Sequence, residues 1–391
     1  MLSKNTNYLS RLDHLRFFAA LLVTTYHFHG GMVNGATLNP LLMIIKEGET
    51  GVSLFMILSG FILTRISIGK EINYRSFVFN RVLRIYPLYI VMLFIAAFSG
   101  GRHMDFVSLL ALLSPVGNLG NVILPKFPHI WTIAVEFQFY LIFPFIIGFF
   151  ARYGTRYLIG LICFAILVRA MMYLTDGTIQ DGAYWTILGR IDQFAIGMIA
   201  AVIYGLRRKW LASPVALALS LFVVWAWFFV FTRWTGGFYG KDTATSIAWV
   251  ISPAAEALVW GAAALAYLQQ KWTMPVLADK TFAYLGGISF SMYMWHYPVI
   301  LIFYKYFPDW NGSPHWYMDF ALIALPTIIA ISSLSYFIIE RPFFALRTIY
   351  VKAQALSTGA SIERPPSRSR SEDVAASMDL ANSTSQPEPV R

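Results

Sequence analysis

Ten apolar runs, each close to 20 residues long, divide this chain and constrain its fold more than any other feature. A helix that crosses a bilayer needs about 20 consecutive apolar residues, because the hydrocarbon core is about 30 Å thick. The runs lie at residues 14–31, 51–68, 84–99, 131–150, 157–174, 188–206, 212–232, 246–268, 283–303 and 318–339. They predict an all-α, polytopic integral membrane protein with about ten transmembrane helices.

Composition supports a single membrane domain over residues 1–349. Of the 391 residues, 57% are hydrophobic and 13% are charged, whereas soluble domains are about 25% charged. The net charge of +10 is spread between the apolar runs, so we do not expect a nucleic-acid partner. Cys163 is the only cysteine, which excludes a disulfide within the chain and a cysteine metal site. We expect no bound metal.

Three segments outside the runs have separate predictions. Residues 105–116 are apolar, but the segment is too short for a helix that crosses the bilayer, so it predicts a re-entrant or interfacial segment. Residues 350–391 predict a disordered tail, because they are rich in Ser, Pro and mixed charge and nearly free of aromatic residues. The polar start of the chain is short and the first run continues into histidines, so we expect no cleaved signal peptide.

Basic residues in the loops predict the orientation. With the N-terminus in the cytoplasm, inner loops hold 13 Lys and Arg residues and outer loops hold 6. Cytoplasmic loops carry the excess of positive charge in most membrane proteins. Both termini are therefore expected in the cytoplasm, provided that 105–116 does not span.

Ionisable residues inside apolar runs are costly and mark functional sites by default. Arg16 and His27 are 11 positions apart, which places them within about 20° of each other on one helix face and about 16 Å apart along its axis. This face has a cation at its inner end and an imidazole deeper in the membrane. A membrane anchor and a hydrogen-bonded interfacial histidine would fit the same spacing.

A pair of arginines and one glutamate are the other main candidates. Arg81 and Arg84, three positions apart, share a helix face, and guanidinium groups bind phosphate bidentately. They could hold a phosphorylated cofactor or lipid head groups. Glu136 enters an apolar helix and shares a face with Tyr140.

Other ionisable residues favour structural roles. Asp192 lies beside Arg190, which predicts an ion pair between them, and Glu256 has no evident partner. His296 precedes a proline inside an apolar run, and a packed, hydrogen-bonded imidazole is expected there.

Seven motifs together resemble the acyltransferase family 3 membrane proteins, which modify bacterial exopolysaccharide, lipopolysaccharide and similar glycans. In chain order the motifs are RLDHLRFFAALLVTTYH, GVSLFMILSGFIL, RVLRIYPLY, HIWTIAVEFQFYLIFP, RIDQFAIG, ISFSMYMWHYPV and IERPF. Each motif is weak alone, whereas seven in order over residues 12–343 are specific. The tail does not resemble the hydrolase-like domain that some members carry.

The resemblance implies a site, a donor and an acceptor. It implies cytoplasmic acyl-CoA, with acetyl the commonest acyl group, and a glycan hydroxyl as acceptor, in a bacterial inner membrane protein that also contacts lipids. The family's motif residues fall on His27, Glu136, Arg16, Arg81, Arg84, Ser59, Gly60 and Phe61. Two positions depart from the pattern, since Ser53 and Phe137 stand where many members have acidic residues.

These implications predict a mechanism. Arg81 and Arg84, helped by Arg16, would hold the CoA phosphates, and Ser59, Gly60 and Phe61 would contact substrate. His27 would act as general base on the sugar hydroxyl, with Glu136 orienting the imidazole. An acyl-histidine intermediate is an open alternative. A transporter or flippase for a lipid-linked glycan is the alternative function.

Overall fold

The computed structural model describes residues 8–30, 40–99, 110, 112–114, 127–238, 240, 243–308 and 315–353. Most of the interfacial segment predicted at 105–116 lies outside these residues. The predicted tail lies outside them from residue 354 onward.

The described chain is almost entirely helical. The helices are α1 (Ser10–Thr25), α2 (Pro40–Lys46), α3 (Gly51–Ser67), α4 (Tyr74–Ser99), α5 (Trp131–Tyr153), α6 (Thr155–Asp176), α7 (Gln180–Trp185), α8 (Ile187–Gly205), α9 (Pro214–Thr235), α10 (Ala248–Gln269), α11 (Val276–Gly287), α12 (Ser289–Tyr306), α13 (Trp316–Asp319), α14 (Leu325–Ser335) and α15 (Arg341–Ala345). Single π-helical turns at Tyr26–Gly30, Phe320–Ala324 and Tyr336–Glu340 extend or join α1, α13, α14 and α15. Two short strands, β1 (Lys70–Ile72) and β2 (Val351–Ala353), complete the fold.

Within the described residues, eight helical segments are long and apolar enough to cross a membrane. They are Gly48–Ser67, Tyr74–Ala97, Pro128–Tyr153, Thr155–Thr175, Ile187–Gly205, Pro214–Thr235, Ala248–Gln269 and Trp316–Ala345. The other two predicted spans coincide with α1 and α12, which carry histidines among their apolar residues. The prediction of an all-α polytopic membrane protein is confirmed.

Helices α3 and α8 pack closely at the centre of the bundle. A Cβ atom at Gly60 would lie 2.2 Å from the carbonyl oxygen of Phe194, and one at Gly197 would lie 2.0 Å from that of Ile57. Small residues allow helix backbones to approach in this way. Gly60 therefore has a packing role on the side of α3 that faces α8.

Two ion pairs join charged groups within the bundle, but not as the sequence predicted. Asp192 bonds Arg169 at 2.7 Å, and Arg190 pairs with Glu256 at 3.7 Å. The predicted pair of Arg190 and Asp192 is wrong, because residues two positions apart on a helix do not face each other. Ser53, one of the two positions that depart from the motif pattern, accepts a hydrogen bond from Arg190 at 2.9 Å.

The chain after α15 returns across the end of α4 as a strap, which we define as residues 347–353. Strand β2 pairs antiparallel with β1, with Ile72 opposite Val351. The side-chain amide of Asn80 donates to the Thr348 carbonyl at 2.7 Å and accepts from the Thr348 N–H at 3.0 Å. These bonds order the chain to residue 353, so the first four residues of the predicted tail, 350–353, are ordered.

Candidate functional site

A cavity of about 320 Å³ opens at the end of the bundle where α1 begins. Its charged lining residues are Asp13, Arg16, Arg65, Arg81, Arg84, Glu136 and Arg347. Five guanidinium groups thus face two carboxylates, which gives this Arg-rich cavity an excess of positive charge. The sequence analysis singled out four of the seven: Arg16, Arg81, Arg84 and Glu136.

Aromatic rings hold the two arginines of α4 in place. The Arg81 guanidinium lies 5.4 Å from the Tyr140 ring and 5.7 Å from the Tyr350 ring. Arg84 lies 5.3 Å from the Phe344 ring. Stacking on a ring face stabilises the cation but leaves the N–H edge unbonded. The buried Nε of Arg81 and Nη2 of Arg84 have no hydrogen-bond partner among the described residues.

Such N–H groups are rarely left unpaired in folded proteins. Because both groups belong to cations in one cavity, an anionic acceptor would satisfy them. The Arg-rich cavity is therefore suited to an anionic ligand such as a phosphate group.

Arg16 lies at the same cavity, on α1. Its guanidinium approaches Asp13 at 3.5 Å, one turn away on the same helix. The cavity wall also includes Ser289 and Phe290, at the start of α12. Arg16 thus adds positive charge where α1 and α12 meet.

Glu136 faces the Arg-rich cavity and not the histidine that it was expected to orient. The Ser59 hydroxyl donates to Glu136 Oε1 at 2.9 Å, and the Tyr140 hydroxyl donates to the same oxygen. No hydrogen bond among the described residues joins Glu136 to His27. The expected hydrogen-bonded pair of Glu136 and His27 is therefore absent from the described residues. Glu136 instead accepts from Tyr140, one turn later on α5, and from Ser59 on α3.

The Ser-Gly-Phe motif divides between the cavity and the helix packing. Ser59 lines the cavity. Gly60 faces the α8 backbone, and Phe61 is 2% exposed with its ring edge against Tyr204. Only Ser59 is placed where a substrate in this cavity could reach it.

His27 belongs to a separate group of three imidazoles, which we call the histidine cluster. Its members are His27 on the π-helical turn after α1, His129 just before α5, and His296 on α12. The ring centroid of His296 lies 4.9 Å from those of both His27 and His129. His296 is fully buried and His129 is 3% exposed.

The hydrogen bonds of the cluster define which nitrogens carry protons. His296 Nδ1 lies 2.5 Å from the Tyr293 carbonyl, so this nitrogen is the donor and Nε2 is free to accept. His27 Nδ1 lies 2.9 Å from the Val23 carbonyl and 3.1 Å from His296 Nε2. Both neighbours are acceptors, so Nδ1 of His27 carries the proton. The Nε2 lone pair of His27 is then available as a base.

Tyr293 connects the two regions. It lines the Arg-rich cavity together with Thr132, whose hydroxyl donates to the Tyr293 oxygen at 2.9 Å. Its ring centroid lies 5.5 Å from that of His296 and 5.6 Å from that of His129. One tyrosine ring therefore separates the cavity from the histidine cluster.

Sequence reasoning did not select four residues that the structure brings to these regions. Arg65 and Arg347 line the cavity, and His129 and His296 contact His27 directly or through each other. A rule that treats every histidine in an apolar run as a candidate would have found His296 in the run 283–303, but not His129, which precedes the run 131–150. Arg347 had no such signal, because it follows the last apolar run.

The described residues thus define a multi-pass helical membrane protein with an arginine-lined cavity and a cluster of three histidines beside it. The acyltransferase domain model matches residues 9–338. The chain therefore belongs to this acyltransferase family, as its motifs predicted.

Curated relatives agree with the family. A Staphylococcus aureus (strain COL) protein named "Putative O-acetyltransferase SACOL0978" is 25% identical over 384 residues, covering 87% of this chain and 58% of the relative. O-acetyltransferase OatA of Staphylococcus aureus (strain NCTC 8325 / PS 47) is 24% identical over 376 residues, covering 86% and 57%. The chain thus spans less than two thirds of the length of these relatives. No solved structure matches it.

Proposed function

We propose that this protein transfers an acyl group, acetyl in the first instance, from acyl-CoA to a hydroxyl of a cell-surface or lipid-linked glycan. One observation carries the proposal: Tyr293 lines the cavity that holds the unpartnered guanidinium N–H groups, and its ring packs on His296, which is hydrogen-bonded to His27. Family membership and the O-acetyltransferase names of the relatives support transfer to oxygen.

The donor is held by its phosphates in the Arg-rich cavity. Arg81 and Arg84 offer unpaired N–H groups, and Arg16 and Arg65 add positive charge. Ser59 and Glu136 form a polar wall deeper in the cavity, where they contact the amide-containing arm of the donor. The thioester then reaches Tyr293 and Thr132, next to the histidine cluster.

His27 acts as the general base. Its Nε2 takes the proton of the acceptor hydroxyl while the oxygen attacks the thioester carbonyl carbon. The C–S bond breaks as the tetrahedral intermediate collapses, and the departing thiolate receives the proton from His27. General-base catalysis of this kind contributes about 10²–10⁴-fold. Attack by His27 itself, through an acyl-histidine, is the two-step alternative.

His296 positions the base. By accepting from Nδ1 of His27, it favours the tautomer with an unprotonated Nε2. This role replaces the one first expected of Glu136.

The donor and acceptor meet from opposite sides if the N-terminus is cytoplasmic, as the loop charges favour. The Arg-rich cavity, at the start of α1, then opens to cytoplasmic acyl-CoA in the bacterial inner membrane. A reporter fused after residue 312 is expected to be extracytoplasmic and one after residue 360 cytoplasmic. Both reporters on one side would contradict this orientation.

Transfer of labelled acetyl from acetyl-CoA by the purified protein in lipid nanodiscs tests the function directly. Mass analysis of surface glycans from cells with and without the protein would then identify the acceptor by the added acyl mass. A protein that moves a lipid-linked glycan across vesicles without any acyl transfer would instead support the flippase alternative.

A further inference from the structure

Arg347 is a fifth guanidinium of the Arg-rich cavity, and it lies on the strap and not on a membrane helix. Its side chain stacks 3.6 Å above the Phe344 ring. Its Nε and Nη2 atoms are buried and have no hydrogen-bond partner among the described residues. It therefore has the same unsatisfied N–H edge as Arg81 and Arg84.

Tyr350, three residues further along the strap, also presents an unsatisfied group. The residue is 2% exposed, its ring packs on Phe77 with centroids 5.2 Å apart, and it lines the cavity. Its buried hydroxyl has no hydrogen-bond partner within the described residues. The strap thus places two hydrogen-bond donors, the cationic Arg347 guanidinium and the neutral Tyr350 hydroxyl, at one wall of the Arg-rich cavity.

The backbone of the strap is fixed independently of any ligand. Asn80 bonds both backbone groups of Thr348, and the Asn73 N–H donates to the Tyr350 carbonyl at 2.8 Å. The pairing of β2 with β1 continues this attachment. Arg347 and Tyr350 are therefore held in position before a ligand arrives, which lowers the entropic cost of binding.

Positive charge is crowded at this wall. Burial, followed by the charges of Arg84 and Arg81, lowers the pKa of Arg347 to about 9, which leaves it protonated at neutral pH. The charge of Glu340 opposes this effect; its Oε1 accepts from Ser291, and its buried Oε2 has no hydrogen-bond partner among the described residues. A second anionic group would relieve the repulsion between the three arginines.

We propose that the strap is part of the donor site, with Arg347 and Tyr350 binding a phosphate group of the donor beside Arg81 and Arg84. This inference rests on the proposed function, and it assigns phosphate recognition to a segment outside the membrane helices. Arg81 lies against the Tyr350 ring, and Arg84 and Arg347 share the Phe344 ring. Three neighbouring guanidinium groups suit a ligand with more than one phosphate, such as the diphosphate of CoA.

Equilibrium binding of CoA and of pantetheine to the full chain in phosphatidylcholine nanodiscs tests the strap. Arg347→Met is expected to weaken CoA binding at least about tenfold, because a charge-assisted contact is lost, and to leave pantetheine binding unchanged. Arg347→Lys should give an intermediate loss, since it keeps the charge without the planar fork. Arg341→Met is the matched control, an exposed arginine near the strap and outside the cavity, and should bind CoA normally.

Wild-type affinity for CoA in Arg347→Met, with clear loss in Arg81→Ala, would overturn the inference. If Arg347→Met is poorly folded, Tyr350→Phe replaces it, with a smaller loss expected and wild-type affinity again contradicting the proposal. Loss of wild-type CoA binding on adding phosphatidylglycerol to the nanodiscs would assign the arginines to lipid head groups and overturn it too.

A second probe separates this inference from the proposed function. If the wild-type protein binds no CoA but binds inorganic pyrophosphate, and Arg347→Met binds it at least about tenfold more weakly, the acyl-CoA donor is wrong while the strap remains a phosphate site. If neither probe binds the wild-type protein, both proposals fail.

Discussion

The Arg-rich cavity and the histidine cluster lie along α1 and the π-helical turn that extends it, with Arg16 and His27 about 16 Å apart along the axis, yet their polar groups differ in how fully they are hydrogen-bonded. In the cavity, Arg81, Arg84 and Arg347 keep buried N–H groups without partners in the described structure. In the cluster, His27 and His296 are bonded to each other and to the backbone. The first region therefore offers unpaired N–H donors, whereas the imidazoles of the second are oriented by hydrogen bonds.

This difference separates binding from chemistry. Pairing of these guanidinium groups with an anionic ligand contributes to the free energy of binding, so losing one arginine should mainly weaken binding. A preorganised base contributes chiefly in the transition state, so losing it should mainly lower kcat. The following substitutions test this division in order of expected effect.

His27→Ala removes the proposed base and should have the largest effect. We expect kcat to fall by about 10²-fold or more, because a sugar hydroxyl is a poor nucleophile while it keeps its proton. Rates of acyl transfer by purified protein measure this, and circular dichroism checks that the variant is folded. A near-normal rate would exclude His27 as base and as acyl carrier.

His296→Ala should lower kcat by roughly tenfold to a hundredfold, since one hydrogen bond that orients His27 is lost. The KM for acyl-CoA should stay close to the wild-type value. His296→Gln, which can present an acceptor oxygen to His27, should recover part of kcat. A purely structural role predicts instead that both variants lose stability together and that Gln brings no recovery.

Arg81→Ala and Arg84→Ala should each raise the KM for acyl-CoA by about tenfold with a smaller change in kcat, because a phosphate contact is lost in both ground and transition states. Exposed Arg152 serves as the control, and Arg152→Ala should behave as wild type. An unchanged KM with collapsed expression would make Arg81 and Arg84 membrane anchors.

Glu136→Gln should have the smallest effect, changing the KM for acyl-CoA by less than about tenfold. The substitution keeps an acceptor oxygen for Ser59 and Tyr140 and removes one charge opposite the arginines. The pH profile of kcat should not move, because Glu136 has no hydrogen bond to His27 in the described structure. A shift in the pH profile of kcat would show that the charge of Glu136 acts electrostatically on the histidine cluster.

The sequence predicted the membrane fold well because apolar run length is a local property. Eight of the ten predicted spans overlap helical segments that are long and apolar enough to cross a membrane, and the other two overlap α1 and α12. Pairings between helices were less accessible, since they depend on how helices face each other. Thus Asp192 bonds Arg169 and not Arg190, and Glu136 bonds Ser59 and not His27.

The candidate site was predicted in part. The arginine pair of α4 was visible as an i, i+3 spacing, and both side chains do line the cavity. The place of Arg347 in the cavity could not be predicted, because it depends on the strap, whose strand pairs with residues about 280 positions earlier in the chain. The histidine cluster was missed because its three members come from three separate segments.

Direct binding of acyl-CoA to His27→Ala protein tests the separation of binding from chemistry most directly. Isothermal titration calorimetry in nanodiscs would give the Kd for acetyl-CoA of wild type and variant under identical conditions. We predict the same Kd within about threefold, which is under 1 kcal/mol, for a variant that has lost acyl transfer. A variant that has lost both binding and transfer would contradict the account, because His27 would then belong to the binding site itself.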